Sequence, residues 1–227
     1  VSPSRGLGDV YKRQISIHAK FASMPLQNRV LASGDIVATP ARGLFMGNRG
    51  ILHDHHQRLG TARWRHKAWV TCVLRHKDWH RAVMQPNHYT ELFFLDEAVA
   101  LAAGHRPCAL CRHKEYQAFR TALGHTGTAK SLDIALHAAR VIPRTMCQLR
   151  HAADIANLPD GTIIYDETPH LLYKDTSRPV TPHGYGPPRP RPRSGSATVL
   201  TPALTVKALS QGYRATLHPT AERASKT

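Results

Sequence analysis

The chain has 227 residues, 41% of them apolar, enough for one large domain or one domain with a small appendage around a true core. Lys and Arg outnumber Asp and Glu by 31 to 15, a formal net charge of +16 that favours a polyanionic partner such as nucleic acid or anionic lipid, although an Arg-rich composition habit explains the same charge. Four cysteines are too few for a disulfide scaffold, no run of about 18 apolar residues spans a membrane, and no secretory signal pattern is evident, so a cytoplasmic, reducing setting is expected.

Residues 1–14 (VSPSRGLGDVYKRQ) lack a hydrophobic period and differ in composition from the rest of the chain. The segment resembles a translated library adapter. It is expected to be a non-native or disordered leader that packs against nothing, with the natural start at Met24 of MPLQNRV. It holds three positive charges and one negative, so the basic excess persists without it.

Residues 43–52 (GLFMGNRGIL) predict a short strand or turn entering the polar loop His53-Asp54-His55-His56. Residues 68–75 (AWVTCVLR) and 79–84 (WHRAVM), parted by Lys77-Asp78, have the composition of a hairpin, and 89–94 (YTELFF) of a third strand. Asp96 is placed to N-cap a helix over 98–103, with Glu97 at its positive end and Gly104 as a left-handed stop. After Cys108-Ala-Leu-Cys111, the spacing of Tyr116, Phe119 and Leu123 predicts a helix over 112–123, stopped by Gly124. A third is expected over 131–140, capped by Ser131 and ended by Pro143.

Beyond residue 145 the composition changes. Residues 162–165 and 170–173 predict short strands around a polar turn, and 186–193 (GPPRPRPR) an extended, polyproline-like course outside any sheet interior. Residues 198–200 lead into a helix capped by Thr201, with Pro202 at its first position and Gly212 at its end. The expected fold class is α+β: a treble-clef-like zinc-knuckle core (β-hairpin plus helices) over 24–145, then a β-meander with one helix and a Pro/Arg-rich loop over 146–219. Residues 220–227 are expected to form a frayed tail.

Cys108 and Cys111 lie between a helix-ending glycine and a new helix. Two intervening residues let both sulfurs reach one tetrahedral ion while turn amides bond the thiolates, and the helix start favours thiolate further. Structural zinc needs four ligands, so Cys72 is expected as the third and His53 as the fourth, with His66 next in line. Cys147, beyond Pro143 in a polar stretch, is not expected to bind. A two-thiol redox pair and inert thiols are the competing readings.

Phe93-Phe94, the Ala-rich helix and GHRPCALCR together resemble the second half of the zinc domain of the bacterial adaptive-response DNA methyltransferase. The resemblance covers about a third of the chain and implies thiolate zinc ligands at Cys108 and Cys111, and more distantly at Cys72. Gly47-Asn48 and His53 echo the Gly-Asn and His of related short zinc modules. The Cys-x3-Cys pair of the methyltransferase has no counterpart, so methyl acceptance is not carried over. From Met24 to about Pro219 the chain is also similar to a family of uncharacterised bacterial proteins, through MPLQNR, FMGNRG, YTELFFLDEA, AAGHRPC and VLTP.

Arg63, Arg65, Lys67, Arg75 and Lys77 interleave with Trp64, Trp69 and Trp79, a pattern suited to neutralising phosphates and stacking bases. A hairpin with one solvated basic face and Trp in its core is the plainer alternative. Arg189, Arg191 and Arg193 form a second basic strip. The function expected is a zinc-binding, nucleic-acid-associated protein with a structural metal: Cys108, Cys111, Cys72 and His53 hold zinc, and Arg63, Trp64, Arg65, Lys67, Arg75 and Lys77 meet nucleic acid. One alternative is a metal-dependent hydrolase or nuclease using the His53 cluster, with Glu91 as base; another is an interaction module for an acidic protein partner. No phosphate-cradling glycine loop, dinucleotide fingerprint or serine-nucleophile motif is present.

Overall fold

The computed structural model describes residues 24–77 and 82–223. The expected leader, residues 78–81 of the expected hairpin and residues 224–227 of the expected tail lie outside the described residues. The chain is α+β, built on two sheets. The first sheet combines β1 (Gln27–Val30), β2 (Ile36–Ala38), β3 (Phe45–Asn48), β4 (Val70–Val73), β5 (Leu92–Phe94) and β6 (Arg106–Pro107) in the order β2-β1-β5-β3-β4-β6. Between β5 and β6 runs helix α1 (Glu97–Ala102); α2 (His113–Leu123) and α3 (Ala129–Arg140) follow, and α3 leads directly into the small hairpin of β7 (Val141–Ile142) and β8 (Cys147–Gln148).

The second sheet contains β9 (His151–Asp154), β10 (Ile163–Asp166), β11 (Thr168–Tyr173), β12 (Thr176–Thr181), β13 (Gly184–Tyr185) and β15 (Ser196–Val199) in the order β13-β12-β11-β10-β15-β9. Strand β14 (Arg189–Pro190) pairs with β12 at its side, so the Pro-Arg stretch stays at a margin where a missing N–H costs nothing. Helix α4 (Ala203–Ser210) completes the fold. No helix among the described residues is long and apolar enough to cross a membrane.

Strand β4 corrects the hairpin expectation. Its antiparallel partner is β3, with Met46 opposite Cys72, and its parallel partner is β6, with Val70 opposite Arg106. Both edges are therefore taken, and residues 82–84 form no strand. Gly47 permits the close pairing: a Cβ there would stand 2.0 Å from the Val70 carbonyl oxygen. Two cap assignments also shift. Thr128 accepts from the Ser131 amide and starts α3 two residues earlier than expected. Thr201 does not cap α4, because its hydroxyl accepts from the Ile163 amide of β10 instead.

Helix α1 sits where the layers meet, and all six of its residues are buried. Ala98, Val99 and Ala102 pack with Ile163, Leu171, Tyr185, Leu200 and Ala221 of the C-terminal half. Ala100 joins Val30, Phe45, Leu92 and Phe94 of the first sheet, while Leu101 faces Tyr116, Phe119, Leu136 and Leu209 of the other helices. Residue 145/146 therefore marks a change of sheet, with the core running across it. Where the expected tail begins, residues 219–221 form a tight turn, Ala221 is buried, and the Thr220 hydroxyl accepts from the Tyr185 amide.

A helix buried all round must satisfy its terminal backbone groups without water. Asp96 caps the start, accepting from the Val99 amide at 3.0 Å, and takes the Tyr185 hydroxyl at 2.6 Å and the His218 amide at 2.8 Å on its other oxygen. At the far end Gly104, at φ 84, makes the left-handed turn. Gln148 donates to the Ala102 carbonyl at 3.1 Å, Arg49 to Ala103 at 3.1 Å and Arg140 to Gly104 at 2.6 Å. The guanidiniums of Arg49 and Arg140 also flank the buried Trp69 ring, 4.2 and 4.1 Å from its centroid. Burial lowers both to about 9, so they remain cationic at neutral pH, at the negative end of the helix.

Arg140→Met strands the Gly104 and Lys67 carbonyls that its guanidinium serves. It is expected to lower the unfolding free energy by roughly 2–5 kcal/mol in urea titrations. Exposed Lys130→Met is expected to change it by less than about 0.5 kcal/mol.

His105 supplies a pH dependence. Burial, then Arg49 and Arg140, hold its imidazole well below the usual range, so the folded state keeps it neutral while the unfolded chain protonates it below about pH 6.5. The unfolded state then binds the extra proton, and stability falls as the pH drops through that value. Asp96, pushed up to about 6 by burial, acts in the opposite sense between about pH 4 and 6. In urea midpoints measured from pH 7.5 downward, His105→Gln is expected to lose less stability on acidification than the parent chain.

Candidate metal centre

The sheet order that fixes β4 also gathers the thiols. The parallel ladder from β4 to β6 continues one residue further, where the Cys108 amide donates to the Thr71 carbonyl at 2.9 Å. This sets Cys108 beside Cys72. The chain then turns, with the Arg112 amide donating to the Cys108 carbonyl at 3.1 Å, and Cys111 arrives just ahead of α2, whose N-cap is Arg112. The ligand atoms of Cys72, Cys108 and Cys111 all lie within 4.8 Å of one another, each residue half-buried and none in a disulfide. Three thiolates on a tetrahedral ion at about 2.3 Å would be about 3.8 Å apart, so the group is close enough to hold a metal ion.

Backbone amides point at two of these sulfurs. Leu110 donates to the Cys108 sulfur at 3.4 Å, and the Cys111 amide reaches the same atom. The Val73 amide reaches the Cys111 sulfur. The Cys111 and Cys72 thiols also donate to Cys108 and hold its acidity far beyond that of an ordinary thiol. By those bonds Cys72 is driven far in the opposite direction, and Cys111 is also raised, chiefly by Cys108. Each sulfur thus opposes ionisation of its neighbours, and a cation among them would favour all three as thiolates.

The expected fourth ligand, His53, is elsewhere. It is buried, with Nδ1 2.6 Å from the Thr90 hydroxyl and Nε2 3.1 Å from the Gln85 carbonyl, so both ring nitrogens are engaged in fastening its loop to the segment before β5. His66, the reserve choice, has Nε2 3.1 Å from the Asn48 side-chain oxygen. Among the described residues, no further His, Cys, Asp or Glu joins the three cysteines. Cys147 lies apart on β8, exposed, its sulfur against the Thr145 carbonyl.

The remainder of the His53 cluster is an ordinary polar turn. Asp54 accepts from the His56 and Arg58 amides at 2.8 and 2.9 Å, which lowers its pKa, and the neighbouring His55 and His56 rings are exposed. Glu91, considered as a base, is buried and accepts from the Met84 amide at 2.7 Å. Glu97 pairs with Arg112 at 2.9 Å and takes the Tyr213 hydroxyl and the Thr216 amide.

The residues expected to meet nucleic acid bracket β4. Arg63, Trp64, Arg65 and Lys67 precede it, and Arg75 and Lys77 follow; Arg65, Lys67, Arg75 and Lys77 are exposed. Among the described residues none of these cations has a carboxylate partner. Trp69 belongs to the core, and Trp79 lies outside the described residues. Sequence reasoning missed the ion pairs that brace the cysteine turn. Arg106 grips both oxygens of Asp133 at 2.8 Å, and Arg112 binds Glu97 while its guanidinium lies 4.4 Å from the Phe45 ring centroid. The available signal was a charged residue on either side of Pro-Cys-Ala-Leu-Cys.

No family model matches this chain, and no curated protein or solved structure is significantly similar to it.

Replacing Cys72, Cys108 or Cys111 with Ser is expected to abolish stoichiometric binding of cobalt(II), followed by its thiolate charge-transfer absorption. His53→Ala is expected to leave that absorption intact, because His53 is fastened to Thr90 and Gln85.

Proposed function

We propose that this chain is a zinc-stabilised, basic protein that associates with nucleic acid and uses its metal structurally. The observation that carries the reading is the convergence of three sulfurs, those of Cys108 and Cys111 met by backbone amides, beside the strand whose two flanks bear cations without a carboxylate partner among the described residues. A third sulfur beside Cys108 and Cys111 favours a metal ion over a two-thiol redox pair. Soft thiolates favour zinc among the common divalent ions. The resemblance of GHRPCALCR to the methyltransferase zinc domain supports the same choice, and a relation to that domain is part of the proposal. In this reading the β3–β4 hairpin supplies one ligand and the turn into α2 two, a treble-clef-like arrangement. Thiolate ligands suit the reducing cytoplasm.

The metal would join β4, the turn after β6 and the start of α2, contributing on the order of 10 kcal/mol to folding. It would thereby fix the loop carrying Arg63, Trp64, Arg65 and Lys67 relative to Arg75 and Lys77. An electrostatic surface of this kind positions a nucleic acid through its phosphates without selecting a base sequence.

Elemental analysis of purified protein is expected to give about one zinc per chain, and zinc removal to lower the melting temperature. Affinity for DNA or RNA should fall linearly on a logarithmic salt plot. Replacing Arg65, Lys67 and Arg75 with Ala should flatten the slope by roughly 0.7–0.9 per lost phosphate contact and weaken all sequences alike. Absence of binding at low salt, or binding indifferent to salt, would overturn the nucleic-acid reading; heparin failing to compete while an acidic protein does would favour a protein partner.

A further inference from the structure

Next to the proposed phosphate-binding loop is a cavity of about 380 Å³. Trp64 lines one side, α3 contributes Ile134 and His137, and the β7–β8 hairpin brings Val141 from its first strand and Met146 from its turn. Lys67 and Arg144 also line it, and no carboxylate does. Ile134 and Met146 are 47% and 44% exposed, so apolar surface remains in water at a place the core does not use. Trp64 itself is held rather than loose: its ring centroid lies 5.3 Å from that of Trp69 and 5.7 Å from that of His137, which meets it edge-on. Trp69 in turn is clamped by Arg49 and Arg140. A fixed aromatic ring, apolar walls and two cations match a flat, apolar group carried next to an anion.

We propose that this cavity receives one unstacked base of a single-stranded nucleic acid, with Trp64 as the stacking surface and Lys67 and Arg144 on the flanking phosphates. The proposal rests on the nucleic-acid reading above and adds a preference for accessible bases over duplex. Stacking on an aromatic side chain tolerates every base, because each has a π-face, so the pocket selects strand state and not sequence. A base within a duplex is covered on both faces and cannot enter without being unpaired. A base with adjacent phosphate is also the chemistry of a free mononucleotide, and the experiment separates the two.

The test measures, by anisotropy at fixed salt, binding of the full chain to a single-stranded DNA octamer and to an octamer of equal charge with every base removed. AMP serves as competitor. The intact octamer is expected to bind at least about fivefold more tightly than the abasic one, and AMP to compete only weakly. Trp64→Leu should erase the difference between the octamers, leaving the weaker, salt-sensitive binding of both, and Trp64→Phe should restore part of it. Ile134→Glu, at an exposed helix position that should not disturb folding, should reduce the intact octamer to the abasic level. Equal binding of the two octamers by the parent chain would overturn the base pocket while leaving the phosphate reading in place. Competition by AMP as strong as by the octamer would make this a mononucleotide site and overturn the assignment to a strand. Failure of both octamers to bind would overturn the nucleic-acid reading and the pocket with it.

Discussion

A six-residue helix buried on every side cannot leave its ends to solvent, and much of this molecule is the solution to that constraint. The helix is about 9 Å long, too short to be stable by its own hydrogen bonds. It exists because three packed layers meet on it, and the layers can meet there only if its terminal amides and carbonyls find partners within the protein. Carboxylates stand at the positive end, in Asp96 and Glu97, and guanidiniums at the negative end, in Arg49 and Arg140. The signs agree with the helix dipole, and the partners come from distant parts of the chain: residues 213–218 at one end, Arg49 just after β3 and Arg140 at the end of α3 at the other. Helix capping here is therefore tertiary structure. Among the described residues Arg49 and Arg140 have no carboxylate as direct partner; backbone carbonyls and the Trp69 ring take that role, which avoids placing a second desolvated charge beside each.

The same polar framework reaches the cysteines. Arg112, one residue after Cys111, binds the Glu97 that opens α1, and Arg106, two residues before Cys108, binds Asp133 of α3. The turn between them is thus tied to the central helix on one side and to α3 on the other before any metal is considered. Such bracing matters for a site with sulfurs on two separate pieces of chain. The segment from Cys72 to Cys108 must close on itself, and the ion pairs, with the parallel β4–β6 ladder, meet part of that entropic cost in advance. In the proposed zinc-bound state, the metal would then lock a geometry already largely formed.

Locally determined features were the legible ones. Asp96 as a cap, Gly104 and Gly124 as left-handed stops, and the paired spacing of Cys108 and Cys111 each follow from a few adjacent residues, and the structure has them there. Features set by distant pairing were not. Residues 68–75 and 79–84 have the composition of a hairpin, but β4 is claimed by β3 and β6, and nothing local announces a parallel neighbour more than thirty residues away. Strands β1 and β2 escaped notice because each is short, and β1 carries polar residues whose partners lie elsewhere, such as Arg29 against the Ala41 carbonyl. His53 illustrates the difficulty of choosing ligands from sequence: its residue type suits a metal, yet its position in space depends on Thr90 and Gln85, which lie in a segment whose course a motif cannot reveal. Cys72 is in the site for the complementary reason, since the register that puts it opposite Met46 also aligns β4 with the turn after β6.

Trp64 and Trp69 show how far a single spacing can mislead and inform at once. Both stand among basic residues, and composition treats them alike. Trp69, immediately before β4, is drawn into the core, where two arginines lie over its ring and its indole N–H donates to the His66 carbonyl at 2.9 Å. Trp64 stops half-way, packed along one side by Trp69 and His137 and open to the cavity on another. The buried cations thus serve the surface indirectly: by fixing Trp69 they fix the support on which Trp64 rests. A ring held in this way loses little freedom when a ligand packs against it, which is the condition for an aromatic surface to contribute affinity and not merely contact. The charge that makes the chain basic is divided accordingly. Arg49 and Arg140 are engaged inside, on carbonyls and a Trp ring, and Arg65, Lys67, Arg75 and Lys77 remain outside without carboxylate partners among the described residues, bordering a surface whose shape the interior has already set.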